Sequence, residues 1–318
     1  MANMRYRSSL RSGPDAAGAA TPADGTPEAA QAVLAAEPGR RKGGITAALR
    51  GHRRAAVIAG RLAVAVVIVL FWQYASTSGL INPVFYSSPS AIVSLLAHQV
   101  AGADVQGASL WLQIGVTVEE VVIGYAIGAV AGILAGFVIG RSRLLTRALE
   151  PYVLTFYAIP KISVAPLFVI ILGIGLNSKI AIVLIEAFFI LFYNTFRGVL
   201  QINEQLVQVA QVMGASRRTV LFRILLPASL PSVLAGLQLA VPFAVIGAVV
   251  GEYVSSSRGL GWLVLYAGST LNAAQLFGAI AALIVIVWVL TRIVEFCVHH
   301  LAPWLTDDSG SAGQRTPT

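Results

Sequence analysis

Four ionisable residues of this 318-residue chain stand inside, or at the edge of, long apolar runs: Lys161, Glu186, Glu252 and Arg258. If those runs cross a bilayer, each charge is costly there and must face a cavity, a counter-charge or water. Lys161 follows Pro160, and the pair interrupts an apolar segment at 149–174. Glu186 lies within the next segment, 178–196. A helix rises about 1.5 Å per residue, which sets Lys161 and Glu186 about 20 and about 15 Å deep from the same side. Two readings stand: an ion pair between Lys161 and Glu186, or a break at Ile159-Pro160-Lys161 open to an aqueous pathway. Glu252 and Arg258 sit at the far end of a later segment and suit the mouth of such a pathway. Glu119 and Glu120 read as boundary residues, as does Glu295 at the opposite side. Pro160, Lys161, Glu186, Asn194, Glu252 and Arg258 are therefore the candidates for a solute pathway or its gates. Metal chemistry is not indicated: His52, His98, His299 and His300 have no ligand spacing with carboxylates or with Cys297. Cys297 is the single cysteine, which excludes an internal disulfide framework.

The elements that must position these residues follow from composition. Hydrophobic residues make up 57% of the chain and charged residues 11%, against about 25% charged in ordinary soluble domains. Mean hydropathy is +0.78. A soluble enzyme is nearly excluded, because so much apolar chain cannot be hidden from water. Residues 1–45 are rich in Ala, Gly, Pro, Thr and Arg with no repeating apolar face, the composition of a disordered tail. The same holds for 306–318. Between them, 46–305 reads as one membrane domain. No apolar core lies near Met1, so the first apolar run reads as an uncleaved span and not a signal peptide.

A helical span takes about 20 apolar residues. Six segments qualify or nearly do: 55–75, 121–140, 149–174, 178–196, a stretch within 224–251, and 273–294. These are continuous apolar runs, not alternating ten-residue strands, so the expected class is all-α with six transmembrane helices. Basic residues set the orientation. Arg40, Arg41, Lys42, Arg50, Arg53 and Arg54 precede the first span, whereas 76–113 contains no Lys or Arg. Arg141, Arg143 and Arg147 follow the second span, and only Lys179 separates the third from the fourth. Arg197, Arg217, Arg218 and Arg223 follow the fourth, and Arg258 alone follows the fifth. The positive-inside rule then places both termini and the 197–226 loop in the cytoplasm.

In the second span Gly124, Gly128, Gly132, Gly136 and Gly140 recur at every fourth residue. That spacing lets another helix backbone approach closely, within the chain or across a subunit interface.

The 197–226 loop reads as two short helices. Glu204 to Met213 is amphipathic, with Leu206, Val209, Ala210 and Met213 on one side. Gly214 suits a left-handed C-terminal cap, Ser216 can cap the helix that follows, and Pro227 marks the return to the membrane. The unit is expected to be half-buried at the cytoplasmic face. Ala210, Gly214, Ser216, Thr219 and Val220 also fit the loose spacing of a DNA-binding helix–turn–helix, with Arg217, Arg218 and Arg223 for phosphates. Spans on both sides leave it no third helix and no reach into a major groove, so no nucleic-acid partner is expected.

Gln208-Val209-Ala210-Gln211-Val212-Met213-Gly214-Ala215-Ser216, with Leu226-Pro227 further on, resembles the EAA loop of ABC importer permeases. Gln208 stands where that family has Glu, and Val209 where it has the first Ala. Further blocks resemble the nitrate/sulfonate/taurine branch: Ile159-Pro160-Lys161-Ile162 with Ala165-Pro166-Leu167-Phe168, Asn194-Thr195-Phe196-Arg197-Gly198, and Gly251-Glu252-Tyr253 with Arg258-Gly259-Leu260-Gly261.

The resemblance implies a type I importer permease in a bacterial inner membrane, moving a small anion by alternating access and not by covalent catalysis. It implies a second permease subunit, as a homodimer, an extracytoplasmic solute-binding protein, and cytoplasmic ATPase subunits. Those ATPases would be engaged by a coupling loop of Gln208, Ala210, Met213, Gly214, Ala215, Ser216, Arg217 and Pro227. The sequence has no phosphate loop of the form G-x-x-x-x-G-K-[ST], so no cofactor is expected on this chain, and ATP and Mg²⁺ would sit on the partner. Two rivals remain. One is an ion-coupled carrier with Lys161 and Glu186 as its relay, although 55–150 and 178–295 show no inverted repeat. The other is a membrane-tethered helix–turn–helix regulator.

Overall fold

The computed structural model describes residues 43–105 and 108–301. The tails expected over 1–45 and 306–318 fall outside the described residues, apart from 43–45, which already belong to a helix. The chain divides into two compact units, Met1–Ala65 and Val66–Thr318. The described part of the first is the N-terminal portion of α1 (Gly43–Thr77).

The end of α1 leads through a short helix α2 (Pro83–Tyr86) into α3 (Pro89–Val100). Ser88 caps α3, accepting from the Ala91 amide at 3.2 Å. A two-residue ribbon, β1 (Asp104–Val105) against β2 (Ala108–Ser109), then turns the chain into the 32-residue helix α4 (Leu110–Arg141). Helix α4 begins 11 residues before the apolar run that announces it. Of the polar residues in that extension, Gln113, Thr117 and Glu120 are buried and Glu119 is exposed.

Pro160 divides the third expected span into α5 (Arg143–Ala158), a 3₁₀ turn (Lys161–Val164) and α6 (Ala165–Leu172), with a bend of 82°. The next helix, α7 (Leu176–Leu200), is the core of the bundle. A loop helix, α8 (Glu204–Val212), is followed by one turn, α9 (Arg217–Val220), and a π-helical turn (Leu221–Leu225). That turn runs without a break into α10 (Leu226–Ser255). The sequence leads to a short second loop helix ending before the membrane, whereas 217–255 is one rod. Pro227 does not interrupt it, because it directly follows the π-helical turn, where the regular i→i−4 ladder is already replaced. Last come α11 (Leu260–Ser269) and α12 (Ala273–Leu301). Among the described residues, five helices are long and apolar enough to cross a membrane, or six if the bent α5–α6 pair is one span. The all-α expectation of six spans holds on the second count.

The α4–α7 contact is built by the glycine series. An added Cβ at Gly128, Gly132 or Gly136 would lie 2.6 Å from the carbonyl oxygens of Leu184, Phe188 and Phe192 respectively, successive turns of α7. Gly124 and Gly140 meet Ile180 O and Phe196 O at 2.9 and 3.2 Å in the same way. The series thus packs within the chain. On the other side of α7, Gly247 and Gly251 of α10 lie against the Val183 and Lys179 backbone. Between these seams sit Val121, Val183, Ala244, Val245 and Ala248. Apolar helices gain little from one another over lipid, so close approach of this kind holds the bundle.

Candidate functional site

The first candidate region is the cytoplasmic loop. Asn203 caps α8, its Oδ1 accepting from the Gln205 amide at 2.9 Å. At the other end the Ala215 amide donates to Ala210 O at 2.9 Å and the Gly214 amide to Gln211 O at 3.0 Å. This pair of bonds is a Schellman motif, and it requires the left-handed φ of +84° found at Gly214. Ser216 then caps α9, accepting from the Thr219 amide at 3.2 Å.

Helix α8 has no buried residue. The expected half-buried unit is therefore corrected, and the direction of its apolar side is the reason. Leu206, Val209, Val212 and Met213 are exposed, the last two by 89% and 82%. Glu204, Gln208 and Gln211 instead line a groove on the bundle's cytoplasmic end, where Glu204 pairs with Arg143. Only Val207 and Ala210 of α8 are half-buried, and a helix that leaves the rest of its apolar side uncovered is written for a partner that covers it. Ala210 and Ala215 are half-buried, while Gln208, Arg217 and Ser216 are exposed.

The second region is the α5–α6 break. Lys161 donates to its own turn, at Tyr157 O (3.3 Å), and its ammonium lies 5.4 and 5.5 Å from the Tyr157 and Phe189 ring centroids. Glu186 is buried on α7. The two do not come within salt-bridge distance, so the ion-pair reading is corrected: the backbone carbonyl and the aromatic faces hold the ammonium instead. Asn194, two turns further along α7, is tied back to Ile190 O at 2.8 Å. Broken helices with off-ladder backbone at membrane depth are where transporters commonly hold solute.

The third region, at the opposite end of the bundle from the loop, is the most tightly bonded part of the molecule. Lys179 forms a buried ion pair with Glu120 and reaches Ser256 Oγ at 3.3 Å. Glu252 is fully buried and accepts from Thr117 Oγ1 at 2.6 Å, from the Gly261 amide at 2.5 Å and from the Trp262 amide at 3.4 Å. The Gly259 and Leu260 amides donate to Gln113 Oε1 (2.6 Å) and Thr117 Oγ1 (2.9 Å). Glu252 is thus the cap of α11, with its charge on the positive end of that helix. It is not an open mouth carboxylate. Arg258 turns away from it, into a 560 Å³ groove that it shares with Lys179 and Ser255–Ser257. Gly259, at φ +107°, is the only residue type that fits, because a Cβ would run into the Glu252 carboxylate.

Four of these residues escape a reading by sequence. Glu120 and Lys179 each look like the edge of a span, and nothing local joins residues 59 apart. Thr117 and Gln113 look like an interfacial turn. The available signal was the placement of polar residues at 113, 117 and 120, about one helical turn apart, just ahead of an uncharged run.

Residues 128–307, more than half of the chain, match the family described as binding-protein-dependent transport system inner membrane component. A probable ABC transporter permease protein of Haemophilus influenzae is 30% identical over 240 residues, 75% of this chain and 91% of the relative. The taurine transport system permease protein TauC of Escherichia coli is 27% identical over 238 residues, 75% of this chain and 86% of its own. The formylaminopyrimidine transport permease protein ThiX of Halalkalibacterium halodurans is 32% identical over 196 residues, 62% and 76% respectively. The chain belongs to the binding-protein-dependent inner-membrane permeases of ABC importers. It is a transport subunit and not an enzyme, resides in the inner membrane, and works with a separate ATPase and a solute-binding protein. The ion-coupled and DNA-binding readings have no support from this kinship.

Proposed function

We propose that a homodimer of this chain carries a small sulfonate-like anion inward, the ATP and Mg²⁺ being bound by the partner ATPase and no cofactor by this chain. The observation that carries the coupling part is the outward apolar stripe Leu206–Val209–Val212–Met213 on a Schellman-capped helix. A rigid peg with an uncovered apolar face fits a groove on an ATPase and transmits its closure. Gln208, Ala210, Ala215, Ser216, Arg217 and Pro227 shape that peg and its return to the membrane.

For the solute, the reading rests on kinship with the taurine permease and on Lys161, a cation at the α5–α6 break with no carboxylate at salt-bridge distance among the described residues. Pro160 opens the break, while Glu186 and Asn194 flank it on α7. Kinship with the formylaminopyrimidine permease favours a second reading, an uncharged pyrimidine. Uptake assays in proteoliposomes holding the full importer would separate them. Competition of labelled taurine by alkanesulfonates but not by pyrimidines supports the anion reading. Competition by pyrimidines alone overturns it, and leaves the ATPase-coupling reading standing.

A further inference from the structure

The groove behind α8 has a composition that the coupling role does not use. It encloses about 680 Å³ between the end of α4, the start of α5, the end of α7 and the inner side of α8. Arg141, Arg143 and Arg147 converge on it. One carboxylate answers them, Glu204, and it pairs with Arg143. Arg141 and Arg147 have no carboxylate at salt-bridge distance among the described residues, Glu150 one turn along α5 included. At position 208, where a carboxylate would neutralise a guanidinium, the groove carries the amide of Gln208.

The other wall is aliphatic: Val199, Leu200, Ile202, Val207 and Leu225. Beside the arginines, Leu144 projects from α5 with 79% of its surface exposed, and Tyr152 and Phe156 follow at 61% and 52%. The site therefore stands where the bilayer surface meets the cytoplasm, at the foot of a span that ends at Arg141.

We propose that this groove binds the headgroup of an anionic phospholipid, with its phosphodiester between Arg141 and Arg147 and its glycerol and first methylenes on the aliphatic wall. A guanidinium presents a planar fork that matches phosphate oxygens two at a time. Basic pockets between membrane helices on the cytoplasmic side are suited to lipid phosphate. The wall decides between two sources of the same chemistry. A free inorganic phosphate stays hydrated and gains nothing from five aliphatic side chains, whereas a lipid covers them. The bound headgroup also touches the inner side of α8 through Gln208 and Gln211, so it braces the coupling helix from behind while the ATPase takes the front.

The test uses the full-length chain in nanodiscs of phosphatidylcholine with a minor fraction of phosphatidylglycerol, read by native mass spectrometry of retained lipid. The wild type retains phosphatidylglycerol in preference to phosphatidylcholine. R141Q/R147Q loses that preference on the order of 30-fold, the roughly fivefold contribution of each interfacial arginine compounded over two. R217Q/R218Q, which removes the same charge from the same face outside the groove, changes it by less than about twofold, the weak response of screened surface charge. R141K/R147K keeps the charge without the fork and falls between, which guards against loss of fold in the glutamine variant.

Equal retention of both lipids by the wild type overturns the proposal, as does an equal loss in R217Q/R218Q. Displacement of phosphatidylglycerol by millimolar inorganic phosphate shows a small-anion site and overturns the lipid assignment. Unselective lipid retention, together with weaker ATPase capture by R141Q/R147Q, assigns the arginines to ATPase carboxylates and overturns it as well.

Discussion

The two ends of the bundle are built on opposite principles. At the outer end, Glu120, Lys179, Glu252, Thr117 and Gln113 are buried and bonded to one another and to the first amides of α11. At the cytoplasmic end, α8 has no buried residue and holds its apolar side out. The outer end spends its polar groups on internal order. The cytoplasmic end leaves its surface unfinished, to be completed by another chain. A permease that is pushed from one side needs this asymmetry: a fixed far end converts a displacement at the loop into a change of helix tilt, not into local melting.

The contrast is tested hardest at the ion pair. Removing one member of a buried pair leaves an uncompensated charge, at a cost of about 3–5 kcal/mol. Lys179→Met and Glu120→Leu should each lower the unfolding temperature in detergent sharply, and the double variant should recover much of the loss. Because Glu120 neighbours the α11 cap, the singles should also loosen 259–262, readable as faster amide exchange there. Singles that melt like the wild type would mean that the outer end is not the rigid one.

Second in size is the glycine seam that joins the two ends. Gly132→Leu places a branched side chain where a Cβ alone already sits 2.6 Å from Phe188 O. Overpacking of this kind costs about 1–3 kcal/mol, occasionally more. The α4–α7 pair should part along its length, with lower yield of folded protein and no specific effect on ATPase capture. Gly60 and Gly115, where an added Cβ meets nothing within 4 Å, are the matched controls.

At the loop the expected pattern inverts. Met213→Glu should leave the unfolding temperature unchanged, since the side chain is 82% exposed. It should cut ATPase co-purification and uptake, as loss of an interface anchor costs about 2 kcal/mol or more. Gly214→Ala should do the same by another route. A Cβ there meets nothing, but φ of +84° strains an L residue by about 1 kcal/mol, and the Schellman end is lost. Normal uptake in both variants would remove the docking role from α8.

How much of this was legible in the sequence follows from range. The spans, the cytoplasmic side of the loop and the glycine seam rest on local periodicity, and Gly124–Gly140 can be read without knowing that α7 is the partner. Gly214 and Ser216 are likewise local, because caps are made within a few residues of themselves. The Glu120–Lys179 pair is not local. Its members sit on different helices, and each alone resembles a residue at the water's edge. The short helix α11 was hidden for a related reason: its cap comes from Glu252, on the preceding helix, and not from a Ser or Asp just before it. The outward turn of α8 was hidden because an apolar side says that something covers it, not which chain does.

The smallest expected effect concerns the charges that the sequence brought together and the structure keeps apart. Lys161 is held by Tyr157 O and two aromatic faces, and Glu186 is buried without a salt-bridge partner among the described residues. A cycle of Lys161→Met, Glu186→Gln and the double variant should give a coupling below about 1 kcal/mol in stability, at the low end of the range for residues in contact. The Glu120/Lys179 cycle, run beside it, should give several times more. Lys161→Met should lose solute uptake while the bundle keeps its unfolding temperature, because the ammonium bonds only to its own turn. Should the Lys161/Glu186 coupling match that of Glu120/Lys179, the α5–α6 break closes into a structural pair, and the cation at membrane depth is no longer free to meet a solute.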